Sequence, residues 1–170
     1  LGSDARFVKI LAHHARYLRL SDRVAYAGAL RLGLGSPVGP TSQIPLSERF
    51  FAGGLTTVRG YTRDKLGPSD AEGDPTGGEA LFVMNNEIRY RVTRRISALG
   101  FVDAGNVFEN VDGLRTLREP DGPGLRLTAG PGVSIATPAG PIRVYVGVPL
   151  NAPDGADGSP RLHFTFGPSF

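Results

Sequence analysis

Apolar and polar residues alternate along most of the chain with a period of two, the repeat of a β-strand whose successive side chains point to opposite faces. In Arg161 to Phe170, Leu162, Phe164, Phe166 and Phe170 share one face, while Arg161, His163, Thr165 and Ser169 share the other. In Ile142 to Leu150, Ile142, Val144, Val146, Val148 and Leu150 oppose Arg143, Tyr145 and Gly147. Leu125 to Thr137 sets Leu125, Leu127, Ala129, Val133 and Ile135 against Arg126, Thr128, Gly130, Gly132 and Ser134. Glu79 to Thr93 sets Phe82, Met84, Ile88, Tyr90 and Val92 against Asn85, Glu87, Arg89 and Arg91. Ile96 to Phe108 alternates less cleanly, with Asp103 opposite in parity to Val102 and Ala104. Val24 to Leu34 alternates as well, and Arg6 to Leu20 is strand-like without a clear facing. The pattern predicts about seven strands, with ends uncertain by a few residues.

Alternation alone suits both a soluble sandwich and a membrane barrel. The connections separate them. Ser21-Asp22, the region of Thr93 to Arg95, and Pro138 to Pro141 are short, whereas Ser36 to Gly78, Glu109 to Gly124, and Asn151 to Pro160 are long. Short and long alternate strictly. Antiparallel strands put alternate connections on opposite sides, so one side carries turns and the other carries loops, as in outer-membrane barrels. The chain also closes on an apolar-face aromatic, Phe170, where a soluble domain usually trails off in polar residues. The expected fold is all-β, an antiparallel transmembrane barrel.

Composition narrows this a little further. The 170 residues suit one domain, and 24 glycines and 14 prolines punctuate short apolar segments as turns do. There is no cysteine, which excludes a disulfide framework and thiolate metal sites. A net charge of +3 and the lack of a basic run interleaved with aromatics make nucleic acid an unexpected partner. No apolar run approaches a membrane helix, but a spanning strand needs only about 9–11 residues. Leu1 is not an initiator and no signal peptide precedes the first strand, so the chain is expected to be a piece of a longer protein.

The connection from Ser36 to Gly78 is far longer than a strand-joining turn, and such loops are functional or disordered. It contains Glu48-Arg49-Phe50-Phe51-Ala52-Gly53-Gly54 and Thr57-Val58-Arg59-Gly60-Tyr61. Aromatics, paired glycines and a lone arginine suggest an ordered loop that packs against something. The segment RFFAGGLTTVRGY resembles the signature loop of the BamA/TamA superfamily of outer-membrane assembly and translocation barrels. NNEIRYRV resembles the next strand of that family, GFVDAGNVF the one after, GVSIATPAGPIRVYVGVPL the following hairpin and LHFTFGPSF the closing strand. The resemblance covers nearly all of residues 44–170, and residues 1–35 fit by position and pattern. RFFAGG leans towards the TamA branch.

The resemblance implies the C-terminal part of a larger barrel of about sixteen strands, within the range such barrels span. The earlier strands and the periplasmic POTRA domains would precede Leu1. It further implies that Val58, Arg59, Gly60 and Tyr61 fold back into the lumen, where the arginine meets carboxylates at the positions of Glu87 and Asp103. The alternation independently puts Glu87 on the polar face and Asp103 on the inward side. An arginine offers a planar fork suited to carboxylates. Its expected role is positioning. A general acid/base role for Glu87 and Asp103 is disfavoured, since no nucleophile or metal set accompanies them. No catalytic residue, metal or cofactor is implied, and the chain is not expected to be an enzyme. His13, His14 and His163 lack ligand spacing and are expected to line the wall or its turns.

Arg89, Arg91, Arg126, Arg143 and Arg161 share the inward face. They suit either a path for a client chain or lipopolysaccharide, or simply an interior that must be polar, and the second reading is preferred. Phe164, Phe166 and Phe170 are expected to face lipid or the interfacial girdle. In the family, the last strand closes on the first at a seam proposed as a lateral gate. Gly167 and Pro168 suit a weak seam, because proline donates no ladder hydrogen bond. The expected partners are outer-membrane lipids, unfolded outer-membrane or autotransporter clients, and periplasmic or lipoprotein accessory subunits. The alternatives are a two-partner secretion transporter, a barrel that anchors a lipase domain, and, from another class, a soluble β-sandwich binding module.

Overall fold

The structure, a computed structural model, describes residues 5–118, 124–152 and 158–167. Its frame is one antiparallel sheet of seven strands, each paired with its neighbour in sequence. The strands are β1 (Phe7–Arg19), β2 (Val24–Pro37), β3 (Ala80–Arg91), β4 (Ile96–Phe108), β5 (Arg126–Thr137), β6 (Gly140–Pro149) and β7 (Arg161–Phe166). The sheet is open, with β1 at one edge and β7 at the other. Single 3-10 segments, Leu46–Glu48 and Val111–Arg118, interrupt two of the long connections.

The expected alternation of connections holds. Residues 20–23, 92–95 and 138–139 turn tightly at one end of the sheet, and residues 38–79, 109–125 and 150–160 connect the strands at the other. Two of the tight turns use the same device. Ser21 Oγ accepts the amides of Arg23 and Val24, and Thr93 Oγ1 accepts those of Arg95 and Ile96. A short hydroxyl side chain thereby replaces the ladder bonds that the turn interrupts.

One face of the sheet is apolar and exposed. Cross-strand pairs include Leu30 with Met84, Tyr26 with Ile88, Val133 with Val144, Ile135 with Ile142, and Val144 with Phe164. Phe164 and Phe166 lie on this face and are 64% and 57% exposed. Tyr26 and Asn86 are polar exceptions that satisfy each other, the Tyr26 hydroxyl donating to Asn86 Oδ1 at 2.6 Å. So large an apolar surface is a liability in water and fits hydrocarbon. Among the described residues no helix is long and apolar enough to cross a membrane, which says nothing about strands.

The opposite face carries the expected polar residues, Asn85, Glu87, Asp103, Thr128 and Arg143 among them, but part of it is apolar. Leu81 and Val83 of β3 and Val107 of β4 point into it and are buried. The reason is the long connection between β2 and β3. It folds back across the sheet and brings Phe50, Ala52, Val58, Tyr61 and Leu66 onto those strand residues to make a core. The inner face is therefore dry where the loop covers it. Arg49 ties the base of the loop together, donating to the carbonyls of Ile44 and Thr76 and to Gln43 Oε1.

The ends of the sheet carry two further findings. The facing of β1, ambiguous in sequence, is set by its register: Lys9 lies 4.7 Å over the Phe50 ring and Tyr17 lies near Arg89, so odd-numbered residues face inward. Among the described residues β7 runs from Arg161 to Phe166. Gly167 has φ +101, a conformation that suits glycine and breaks the strand. Pro168 and Phe170 lie outside the described residues.

Candidate functional site: an arginine-anchored inner loop

The register of β3 and β4 creates a receptor for one cation. Asn85 pairs with Asp103 and Glu87 pairs with Phe101. Glu87 and Asp103 are thus diagonal neighbours on the inner face, about 7–8 Å apart at the backbone in such an arrangement. That gap is too wide for a direct carboxyl–carboxyl bond and wide enough for a guanidinium. The ring of Phe101 sits between them as a floor.

The tip of the loop fills this receptor. Residues 53–57 bring it there through a compact turn, in which Thr57 Oγ1 accepts the Gly53 amide and donates to the Gly53 carbonyl. Asn85 Nδ2 donates to the Thr57 carbonyl at 2.6 Å, and the Arg31 side chain donates to the Thr56 carbonyl. Arg59 Nε and Nη2 then donate to the two oxygens of Asp103, each at 2.7 Å, and Nη1 donates to Glu87 Oε2 at 2.6 Å. The Arg59 amide adds a fourth bond, to Asp103 Oδ2 at 3.1 Å. The guanidinium carbon lies 3.7 Å from the centroid of Phe101 and 4.8 Å from that of Tyr145 on β6. Phe101 and Tyr145 themselves meet edge to face.

Arg59, Glu87 and Asp103 are 2%, 1% and 0% exposed. Charges so deeply buried are tolerated only when paired and hydrogen-bonded. Burial opposes the charge on Arg59, but the hydrogen bonds and Coulomb attraction of Asp103 and Glu87 outweigh it and hold its pKa above the ordinary arginine value. The group therefore stays cationic. Two carboxylates face this one arginine, and a second cation helps balance them: Arg89 Nε donates to Glu87 Oε1 at 2.7 Å. Asp103 takes its side-chain bonds from Arg59 alone among the bonds described, which makes it the stricter partner.

Beyond the arginine, the tip touches the far strands. Gly60 has φ +92. A Cβ there would lie 3.1 Å from the backbone carbon of Gly147, and a Cβ on Gly147 would lie 2.5 Å from the Gly60 nitrogen. The loop backbone rests directly on the backbone of β6, an approach that two facing glycines permit. The Gly60 amide donates to Nε2 of His163 on β7 at 2.8 Å. Val58 and Tyr61 are buried in the core beneath the loop.

Of the residues singled out by sequence, the structure brings Val58, Arg59, Gly60, Tyr61, Glu87 and Asp103 together. Phe164, Phe166 and Gly167 lie apart from them, the two aromatics on the outer face. Alternation put Tyr145 and Gly147 on the inward face and His163 was expected to line the wall, but none was assigned to the site, and Phe101 was not singled out. Phe101 has the same parity as Asp103, so alternation could have found it. Several of the inward arginines have bonds within the wall. Arg143 donates to the Gly167 carbonyl, Arg126 to the Asn151 carbonyl and Arg89 to Glu87.

The whole chain, residues 1–170, matches the model of the Omp85 superfamily domain. It is 28% identical over 174 residues to the outer membrane protein assembly factor BamA of Nitratidesulfovibrio vulgaris, matching all of this chain and 21% of that protein. It is 27% identical over 185 residues to a SAM50-like protein of Schizosaccharomyces pombe, of which it covers 37%. It thus spans well under half of these relatives. Among solved structures, BamA from Haemophilus ducreyi lacking POTRA domains 1–3 superposes with a TM-score of 0.73 at 20% identity, over 96% of this chain and 35% of that one. That likeness shows the fold, the sheet corresponding to about a third of the longer chain.

Proposed function

The chain belongs to the Omp85 superfamily, and from that premise we propose that it is the closing part of the barrel of an outer-membrane protein assembly factor. The observation that carries the reading is the buried docking of the loop tip by Arg59 on Glu87 and Asp103, behind a sheet whose other face is apolar and exposed. A loop held this firmly against the inner wall suits a device that positions, rather than one that conducts or cleaves. The name of one relative, the outer membrane protein assembly factor BamA of Nitratidesulfovibrio vulgaris, favours the same reading.

In this proposal the rest of the protein supplies the earlier strands and the periplasmic domains, and the barrel sits in a bacterial outer membrane. The seam beside β7 opens sideways, and its free edge pairs with a strand of an unfolded outer-membrane client by β-augmentation. An exposed edge is otherwise a hazard, and here it is the working surface. The role is mechanical and involves no covalent step. Outer-membrane lipids, client barrels and periplasmic accessory subunits are the proposed partners.

The test is reconstitution of the full-length protein in lipid vesicles with a urea-denatured client barrel, scoring the client's heat-modifiable folded form. The wild type is expected to raise the folded fraction above empty vesicles, and Arg59→Ala to lower it while the protein itself stays folded. Client folding no faster than in empty vesicles would overturn the proposal.

A further inference from the structure

The loop tip spans two parts of the wall. Arg59 holds β3 and β4, and the next residue, Gly60, reaches β7, 103 positions further along the chain. The bond to β7 has an uncommon acceptor. His163 Nε2 takes the Gly60 amide proton, so that nitrogen carries no proton of its own. The contact is partly buried, and the Gly60–Gly147 backbone approach beside it leaves the loop little room to shift. Among the described residues strand β7 is the last of the sheet and the shortest, six residues against ten to fourteen for the others. It pairs only with β6 among the described residues, so a single inward bond is a larger share of what holds it than it would be for a central strand.

We infer that His163 is a positioning residue that latches the tip of the inner loop to the closing strand, so that displacement of β7 releases Gly60 while the Arg59 anchor stays closed. The inference rests on the reading of β7 as a working seam, and it adds the residue through which loop and seam are joined. Its chemistry is specific. Glutamine can offer an amide oxygen from a similar reach and keep the bond. Leucine has similar bulk and no acceptor. Lysine has donors only, and would add a further cation near Arg59.

The test uses the full-length protein folded in lipid vesicles, with two readouts on His163→Gln, His163→Leu and the wild type. Hydrogen–deuterium exchange of residues 57–61 reports the latch itself. His163→Leu is expected to speed exchange at Gly60 about threefold to tenfold, as loss of one hydrogen bond does, with β3 and β4 unchanged. His163→Gln is expected to stay close to the wild type. Exchange in His163→Leu equal to the wild type, or equally fast exchange in both variants, overturns the latch. Client folding is the second readout, and His163→Leu is expected to change its rate with rescue in His163→Gln. Faster exchange with an unchanged client rate upholds the latch and overturns its link to assembly.

Discussion

Replacing Arg59 with lysine separates the shape of the anchor from its charge. Arginine serves two carboxylates with one planar group, placing Nε and Nη2 on Asp103 and Nη1 on Glu87. A lysine ammonium is a point charge on a flexible stem and can satisfy only one of them well. It also loses the flat contact with Phe101. A hydrogen bond to a charged group is worth about 1.5–3 kcal/mol. With two of three side-chain bonds lost and part of that recovered by Coulomb attraction, loop docking should weaken by about 2–4 kcal/mol. At about 1.4 kcal/mol per factor of ten, the undocked population rises roughly 30- to 700-fold. Hydrogen exchange of residues 57–61 in the folded full-length protein reads that population. Two further variants sharpen the test. Asp103→Asn should loosen the loop more than Glu87→Gln, because Asp103 receives three bonds from Arg59 whereas Glu87 receives one and keeps Arg89. If Arg59→Lys exchanged within about twofold of the wild type, a difference far below the 1.4 kcal/mol of a tenfold effect, the fork would not be what holds the loop. The reverse order of the two carboxylate variants would refute the assignment of Asp103 as the stricter partner.

Two other predictions address the surroundings of the anchor. Gly147→Val pushes a branched side chain into the Gly60 backbone and should destabilise the docked loop by about 1–3 kcal/mol, as overpacking does; unchanged protease resistance of the loop would contradict the close approach. Ile88→Arg places a cation on the outer apolar face and should cost about 2–4 kcal/mol of stability in vesicles if that residue lies near the bilayer midplane. Equilibrium unfolding in urea measures the latter, and a neutral outcome would mean that this face does not meet hydrocarbon.

The strands and their connections were readable in the sequence because both follow from period two and from loop length. The same parity put Glu87 and Asp103 on one face. It could not state that their registers place them diagonally around Phe101, since register depends on pairing with the neighbouring strand. The facing of β1 was hidden for a different reason. Its even-numbered positions carry Val8 and Ile10, its odd-numbered ones Phe7, Leu11 and Tyr17, so both faces look apolar until Lys9 is seen over Phe50. Parity put Tyr145 on the inward face, but the contact of Tyr145 and Phe101 with the Arg59 guanidinium exists only with the loop in place. The contacts of His163 and Gly147 were not readable because their partner, Gly60, comes from a segment 87 to 103 positions away.

The span of the loop's bonds also carries a consequence for the order of events during folding. Every strand of the sheet pairs with its neighbour in sequence, so the sheet can grow hairpin by hairpin, whereas non-local closure is slow. The anchor bonds reach 28 and 44 residues ahead, and the His163 bond reaches 103. The anchor can therefore close only once β3 and β4 are paired, and the last bond only when β7 is in place. Full docking of the loop is thus a report that the wall from β3 to β7 has been built in the correct register. A chain arrested at β3 or β4 would lack the receptor for Arg59, whereas one arrested before β7 would keep the anchor and lack only the bond to His163.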